Sequence, residues 1–194
     1  MYYLCSTQHI DYIATKLSQV AGIIFKVRNH ISLKSRTMIY NCLAGSYLTY
    51  GIVTWGAAAP TSLQKLRILQ NKIIRYITFS PPRTNIDSKY KSLNILTTSE
   101  LYFLEVSKFV HSISKGESPA VFTNFLPLSS HLYETRSKTN NNFCLAQPRT
   151  ERGKRSLCYK GVLFWSQIPA DLKVLSLKSF KALLKRFLIE NGIP

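Results

Sequence analysis

Lys65, Lys72 and Arg75 recur within one stretch, 61–79, that contains no acidic residue. Arg149, Arg152, Lys154 and Arg155 crowd a second stretch, with Arg136 upstream of them. Ammonium and guanidinium groups offer fixed positive charge and hydrogen-bond donors, which is the chemistry of neutralising phosphate. Little else in the chain has the makings of a site. The three aspartates, Asp11, Asp87 and Asp171, lie far apart, and no Asp-Asp or Asp-x-Asp pair is present to carry two catalytic metal ions. No GxxxxGK[ST] phosphate loop, GxSxG elbow or HExxH helix occurs. Cys5, Cys42, Cys144 and Cys158 form no CxxC, and His9, His30, His111 and His131 complete no zinc-ligand spacing with them. The expectation is no catalytic residue, no metal ligand and no cofactor.

The balance of charge points to the same chemistry. Twenty-six Lys and Arg stand against nine Asp and Glu, for a formal net charge of +17. Such an excess favours a polyanionic partner, nucleic acid first and an anionic membrane surface second. Residues 60–93 and 129–160 each carry seven basic residues, against one and two acids, whereas 94–128 carry two against three. Two basic zones thus flank a neutral centre. Widely spaced cysteines and an N-terminus, MYYLCSTQHIDYIATK, without a basic n-region and an unbroken apolar core predict a nuclear or cytoplasmic protein that is not secreted.

Helices must position these residues. Ile10, Ile13, Leu17, Val20, Ile24 and Val27 share one face of a helix over about 7–29, where Gly22 suggests close packing. Ser32 is placed to cap a second helix, with Leu33, Ile39, Leu43 and Tyr47 among its apolar positions. Thr61 and Gln64 have the spacing of a capping box for a third helix, ended by Pro81-Pro82. At about 100° per residue, Leu66, Leu69, Gln70, Ile73, Ile74 and Ile77 form one arc of it. Lys65, Lys72 and Arg75, with Gln64 and Ile68, form the opposite arc. An ordinary solvated face is the alternative for that strip, but such faces usually mix signs. Residues 80–98 read as a connection, and Thr97 with Glu100 caps a helix to about Lys115. The polar run 139–156 predicts short strands around a loop, 157–169 is apolar enough to be buried, and a last helix spans about 176–191.

Residues 37–64 contain no charged side chain. A membrane span needs about 20 mostly apolar residues in a row. Asn41, Gly45, Gly51, Gly56 and Pro60 interrupt this one, so a buried helix and a packed turn are expected and no transmembrane segment. Trp55 and Trp165 sit in apolar runs and are expected in the core rather than against bases.

The pieces HIDYIATKLSQVAG, YLTYGIVTWGAAAPTSLQKLRILQNKIIRYI, HLYETRSK, GKRSLCYKGVLFWSQIP and LKSFKALLKRFL, in that order, resemble the C-terminal region of the reverse-transcriptase polyproteins of non-LTR retrotransposons, the LINE-like jockey group most closely. In such polyproteins this region follows the palm, whose Tyr/Phe-Ala-Asp-Asp motif binds the catalytic magnesium. This chain begins after that motif and without the family's endonuclease, so Met1 is expected to be an internal start or a gene-model boundary. The resemblance implies the helical thumb, which grips the template–primer duplex by its backbone, and the segment beyond it. The expected architecture is mainly α. It comprises a helical thumb-like bundle over 1–80, a linker and connecting helix over 81–128, and a small basic α+β region with short strands and a terminal helix over 129–194. The expected partners are RNA or DNA, bound without sequence preference, and other polymerase domains. A scaffold that docks acidic proteins and a membrane-surface protein are the rival readings.

Overall fold

Ile10, Ile13, Leu17, Val20, Ala21 and Ile24 repeat every three or four residues, and all are buried along one side of helix α1, Tyr2–Val27. The computed structural model describes residues 2–122, 125–126, 143–145 and 147–193. They divide into two compact units, Met1–Tyr102 and Phe103–Pro194. Gly22 lies on the exposed side of α1, and a Cβ there would meet nothing within 4 Å. The close packing expected of it is absent, because the helix turns this position to solvent. Gly22→Ala is therefore expected to stabilise the protein by up to about 1 kcal/mol, the helix-interior cost of glycine. A lower urea midpoint in the variant would contradict this.

Ser32 accepts a hydrogen bond from the Ser35 amide at 3.2 Å and caps α2, Leu33–Ile39. The chain continues through a π-helical segment, Tyr40–Gly45, into α3, Ser46–Thr49. Here the expected face is wrong. Leu33 and Leu43 are exposed, whereas Arg36, Tyr40, Ala44, Leu48 and Ile52 are buried at strict intervals of four. Four α-helical residues turn about 400°, so such a row would wind off one face. The wider π turn takes back part of that drift. Gly51 then adopts the left-handed conformation at φ 60° and starts α4, Ile52–Trp55, while the Trp55 indole donates to the Tyr50 carbonyl at 2.8 Å. Trp55 is 2% exposed, a core residue. The uncharged run is thus a half-buried helix and a tight turn. No helix among the described residues is long and apolar enough to cross a membrane.

Helix α5, Pro60–Thr78, begins with proline at its first turn and receives no side-chain cap. The expected Thr61 box does not form, because proline's fixed φ and missing N–H already suit that position. Asp11 meets Lys65 near one end and Phe25 meets Tyr76 near the other, so α1 and α5 run in the same direction. The α2–α3 segment returns between those ends, with Arg36 over Phe79 and Trp55 near His9. The result is an up-down-up bundle. Gln70, fully buried on the core arc of α5, donates to the Tyr40 hydroxyl and the Leu96 carbonyl and accepts from the Thr98 amide and hydroxyl. Burial pushes the Tyr40 hydroxyl pKa up to about 12, against the hydrogen bond from Gln70. The expected connection over 80–98 contains a short helix, α6, Asp87–Ser92, held where the Tyr90 hydroxyl donates to Asn71 Oδ1 at 2.8 Å. Thr97 and Glu100 form the expected capping box for α7, Thr98–Ser114.

In the second unit the core is built from Phe103, Val106 and Val110 of α7 and from three further helices. After α8, Glu151–Lys154, come α9, Leu157–Gln167, α10, Ala170–Val174, and α11, Leu177–Asn191. Phe103 packs on Phe164, with ring centres 4.6 Å apart, and Gly161 lets α9 approach Val110. Phe180, Leu184 and Leu188 are the buried row of α11, and Trp165 is 2% exposed. Among the described residues there is no strand: Phe143 makes only an isolated bridge and Glu151–Lys154 is helical, while residues 139–142 and 146 of the run expected to hold short strands lie outside the described residues.

His111 is wholly buried in α7 and stacks on Phe180 at 4.4 Å. Its Nε2 lies 2.9 Å from the Leu175 carbonyl, so Nε2 carries the proton, and Nδ1 faces no partner. Burial holds the imidazole below its ordinary pKa of 6.5, partly opposed by the Leu175 carbonyl; Lys115 lowers it further and Glu117 raises it. The neutral ring therefore contributes its full stability above the unfolded pKa, and that contribution is lost as pH falls toward the lower folded value. Urea midpoints are expected to fall from pH 7 to pH 5, and His111→Phe is expected to flatten that slope. Equal slopes in the two proteins would show that His111 does not set it.

Candidate nucleic-acid interface

The apolar arc of α5 fixes what its other side presents. Leu66, Gln70, Ile73, Ile74 and Ile77 are buried, while Lys65, Ile68 and Lys72 are exposed. Lys65 Nζ lies 3.1 Å from Asp11 Oδ1 of α1, and both side chains are about 60% exposed. An acid thus reaches the strip from another helix, which spacing within 61–79 does not reveal. Such an exposed pair is worth at most about 1 kcal/mol and is screened by salt, so it competes weakly with a phosphate. Lys72 Nζ sits 5.9 Å from the centre of the Tyr76 ring. Arg75 is only half exposed, and its Nε is buried without a hydrogen-bond partner. It lies near enough to Tyr90 to act on that hydroxyl's charge. The three residues share one helix but not one environment.

In the second unit, Thr150 caps α8 by accepting from the Gly153 amide at 3.1 Å, and Gly153 packs tightly on Pro148. This fold-back sets Arg149, Arg152, Lys154 and Arg155 around a single helical turn. Arg149, Arg152 and Lys154 are exposed and Arg155 half exposed. Lys154 hydrogen-bonds Glu151 at 2.7 Å, which pulls that carboxyl below its ordinary pKa and raises the ammonium's. Arg155 Nε donates to the Glu151 carbonyl. Arg136, His131 and the stretch 131–138 lie outside the described residues. Among the described residues no three His, Cys, Asp or Glu converge on a possible metal position.

Spacing along the chain missed Arg28 and Arg36. Both reach the end of the first unit's bundle, over Phe79, where α1 ends, α2 begins and α5 stops. Nothing linear marks them, since Arg36 sits in a core row and Arg28 near the end of an ordinary amphipathic helix.

No protein-family model matches the chain, and no solved structure does. The chain is similar to the RNA-directed DNA polymerase from mobile element jockey of Drosophila funebris, 34% identical over 79 residues, or 41% of this chain and 8% of that protein. The jockey polymerase of Drosophila melanogaster is 37% identical over 67 residues, 34% of this chain and 7% of the relative. A probable RNA-directed DNA polymerase from transposon BS of Drosophila melanogaster is 27% identical over 92 residues, 47% of this chain and 10% of the relative. The chain spans a tenth or less of the length of these curated relatives. Over stretches covering 34–47% of its own length, it is homologous to the RNA-directed DNA polymerases of the jockey and BS retrotransposons.

Proposed function

We propose that this chain is a catalytically incomplete piece of a retrotransposon reverse transcriptase, working in the nucleus or cytoplasm, that holds RNA or DNA without sequence preference. Lys65, Lys72 and Arg75 are its principal phosphate contacts, and Arg136, Arg149, Arg152, Lys154 and Arg155 form a second zone. The observation that carries this reading is the exposed side of α5. It sets basic groups and the exposed Ile68 opposite a continuous core arc, and Asp11 is the one described acid that ion-pairs with the strip. Phosphate neutralisation needs charge and no base-edge geometry, so affinity should depend on salt and little on sequence.

The test is binding of the purified chain to unrelated duplexes across a salt series. The double variant K65Q/K72Q is expected to weaken every duplex alike. It should flatten the plot of log affinity against log salt by up to about 0.9 per lost contact. Glutamine keeps the helix propensity of lysine, so folding should change little. Arg75→Gln belongs in a separate experiment, because its half-buried side chain also serves the fold. An unchanged salt slope would reduce the strip to a solvated face, and a loss confined to one sequence would mean base reading. The same preparation is expected to add no nucleotide to a primer on an RNA template with magnesium or manganese. Metal-dependent incorporation would overturn the incomplete-enzyme reading.

A further inference from the structure

We propose that the phosphate-binding track leaves α5 at Lys72 and continues onto Arg28 and Arg36, so that a nucleic-acid strand is gripped by all three helices of the first bundle. This extension rests on the nucleic-acid reading above. The side chains make a connected series. Lys72 Nζ lies 5.9 Å and Arg28 Cζ 5.6 Å from the centre of the same Tyr76 ring. Arg28 Cζ is also 4.2 Å from the Phe25 ring and 5.3 Å from Phe79, and Arg36 Cζ is 4.6 Å from Phe79. Phe25 packs on Tyr76 with ring centres 5.0 Å apart. The aromatic rings thus form a floor under two guanidinium groups.

Two features show that this cluster lacks a partner. Arg36 is 8% exposed, and its Nε and Nη1 have no hydrogen-bond partner. No described carboxylate pairs with Arg28 or Arg36. A guanidinium carries five donors and no acceptor, and it cannot shed its charge at physiological pH. Two of them over one ring repel each other, and the ring face relieves only part of that cost. Those two Arg36 nitrogens are closed to solvent, so a phosphate would meet the half-exposed Arg28 fork, whose planar donors match its oxygens, and its charge would offset both guanidinium groups. Phe79 is further held at φ 54°, in the left-handed region that bulky residues avoid, with its ring half exposed between the two arginines.

The test uses the whole chain and a random-sequence single strand of RNA or DNA. Arg28→Gln is expected to weaken binding severalfold and to flatten the salt slope by about 0.7, the single-strand value for one contact. Arg28→Lys should keep that slope, because it keeps the charge. Arg28→Met, which keeps an apolar stem over the rings without the charge, is the second variant if Arg28→Gln folds poorly and should flatten the slope equally. Arg67→Gln removes one charge from the other side of α5 and should change the slope far less. If Arg28→Gln leaves the slope intact while K65Q/K72Q lowers it, the track stops on α5 and this extension is wrong, with the broader reading intact. If the wild-type chain binds no nucleic acid, both fail. If Arg28→Gln abolishes binding to phosphatidylserine vesicles but spares the nucleic-acid slope, the cluster serves a membrane surface and the proposal is overturned.

Discussion

Replacing Gln70 with leucine is expected to destabilise the protein by about 3–5 kcal/mol, although leucine is close in volume and the site is fully buried. The amide uses both N–H groups and both oxygen lone pairs: it donates to Tyr40 and Leu96 at 2.8 and 2.9 Å and accepts from Thr98 N and Oγ1 at 3.0 and 2.9 Å. Leucine would strand the Leu96 carbonyl and the Thr98 amide, which cannot turn elsewhere, each at a cost of about 1–3 kcal/mol. The Tyr40 and Thr98 hydroxyls can rotate and lose less. Tyr40→Phe removes only one of the four bonds and is expected to cost about 1 kcal/mol. If the four bonds form one network, the two substitutions together should cost less than their sum, since leucine has already removed Tyr40's partner. Urea unfolding of the four proteins gives both numbers. A Gln70→Leu protein within about 1 kcal/mol of wild type would mean that the amide only fills space. The consequence reaches the candidate site, because Gln70 sets the rotation of α5 and so the direction in which Lys65 and Lys72 point.

The long helices were legible because their apolar residues keep an α-helical period: α5 and α7 lie where spacing and the terminating Pro or Gly place them, although α1 begins at Tyr2 rather than about Thr7 and only α7 of the three has its expected cap. The face of the second helix was not. Its core row runs through Arg36, Tyr40 and Ala44, residue types that a hydrophobicity pattern passes over, and the π segment shifts the period. Helix α6 is short and mostly polar, held by Ile86 and Tyr90 in the core and by Asn71 from α5, so its signal is tertiary. The polar, turn-rich 139–156 run reads equally well as strand ends or as a capped single turn. Thr150 and Gly153 choose the turn through a bond that local spacing does not single out. In the candidate site, 100° steps alone turn Lys65 and Lys72 outward. The Asp11 pairing and the meeting of Arg28 with Arg36 depend on how three helices pack, which no single stretch encodes.

Glycine gives the sharpest contrast between the two kinds of evidence. Along the sequence, Gly22 looks like a packing glycine and Gly56 like a turn glycine; Gly22 is instead exposed, and Gly56 does lie in a turn but is glycine for another reason. Gly56 has φ −66° and ψ −13°, a conformation open to any residue. What requires glycine there is space. A Cβ would lie 2.6 Å from the Ile52 carbonyl oxygen and 2.9 Å from Tyr102 Cε2, with Tyr102 Cδ2 nearer still. The oxygen cannot retreat easily, because it accepts the Gly56 amide at 2.7 Å and closes α4. The ring cannot swing freely either, because Tyr102 is 8% exposed, buried enough to push its hydroxyl pKa up to about 12. Gly56→Ala is therefore expected to cost at least the about 1–3 kcal/mol typical of overpacking, and Gly56→Val more. Part of the clash is with the ring, so Gly56→Ala combined with Tyr102→Leu should fall short of the sum of the single costs. The part that remains measures the clash with the Ile52 carbonyl. An alanine variant as stable as wild type would show that α4 and the first turn of α7 pack less closely than these distances state. The same measurement on Gly22→Ala should move the urea midpoint the other way, so one pair of glycine-to-alanine changes tests both the packed and the exposed position.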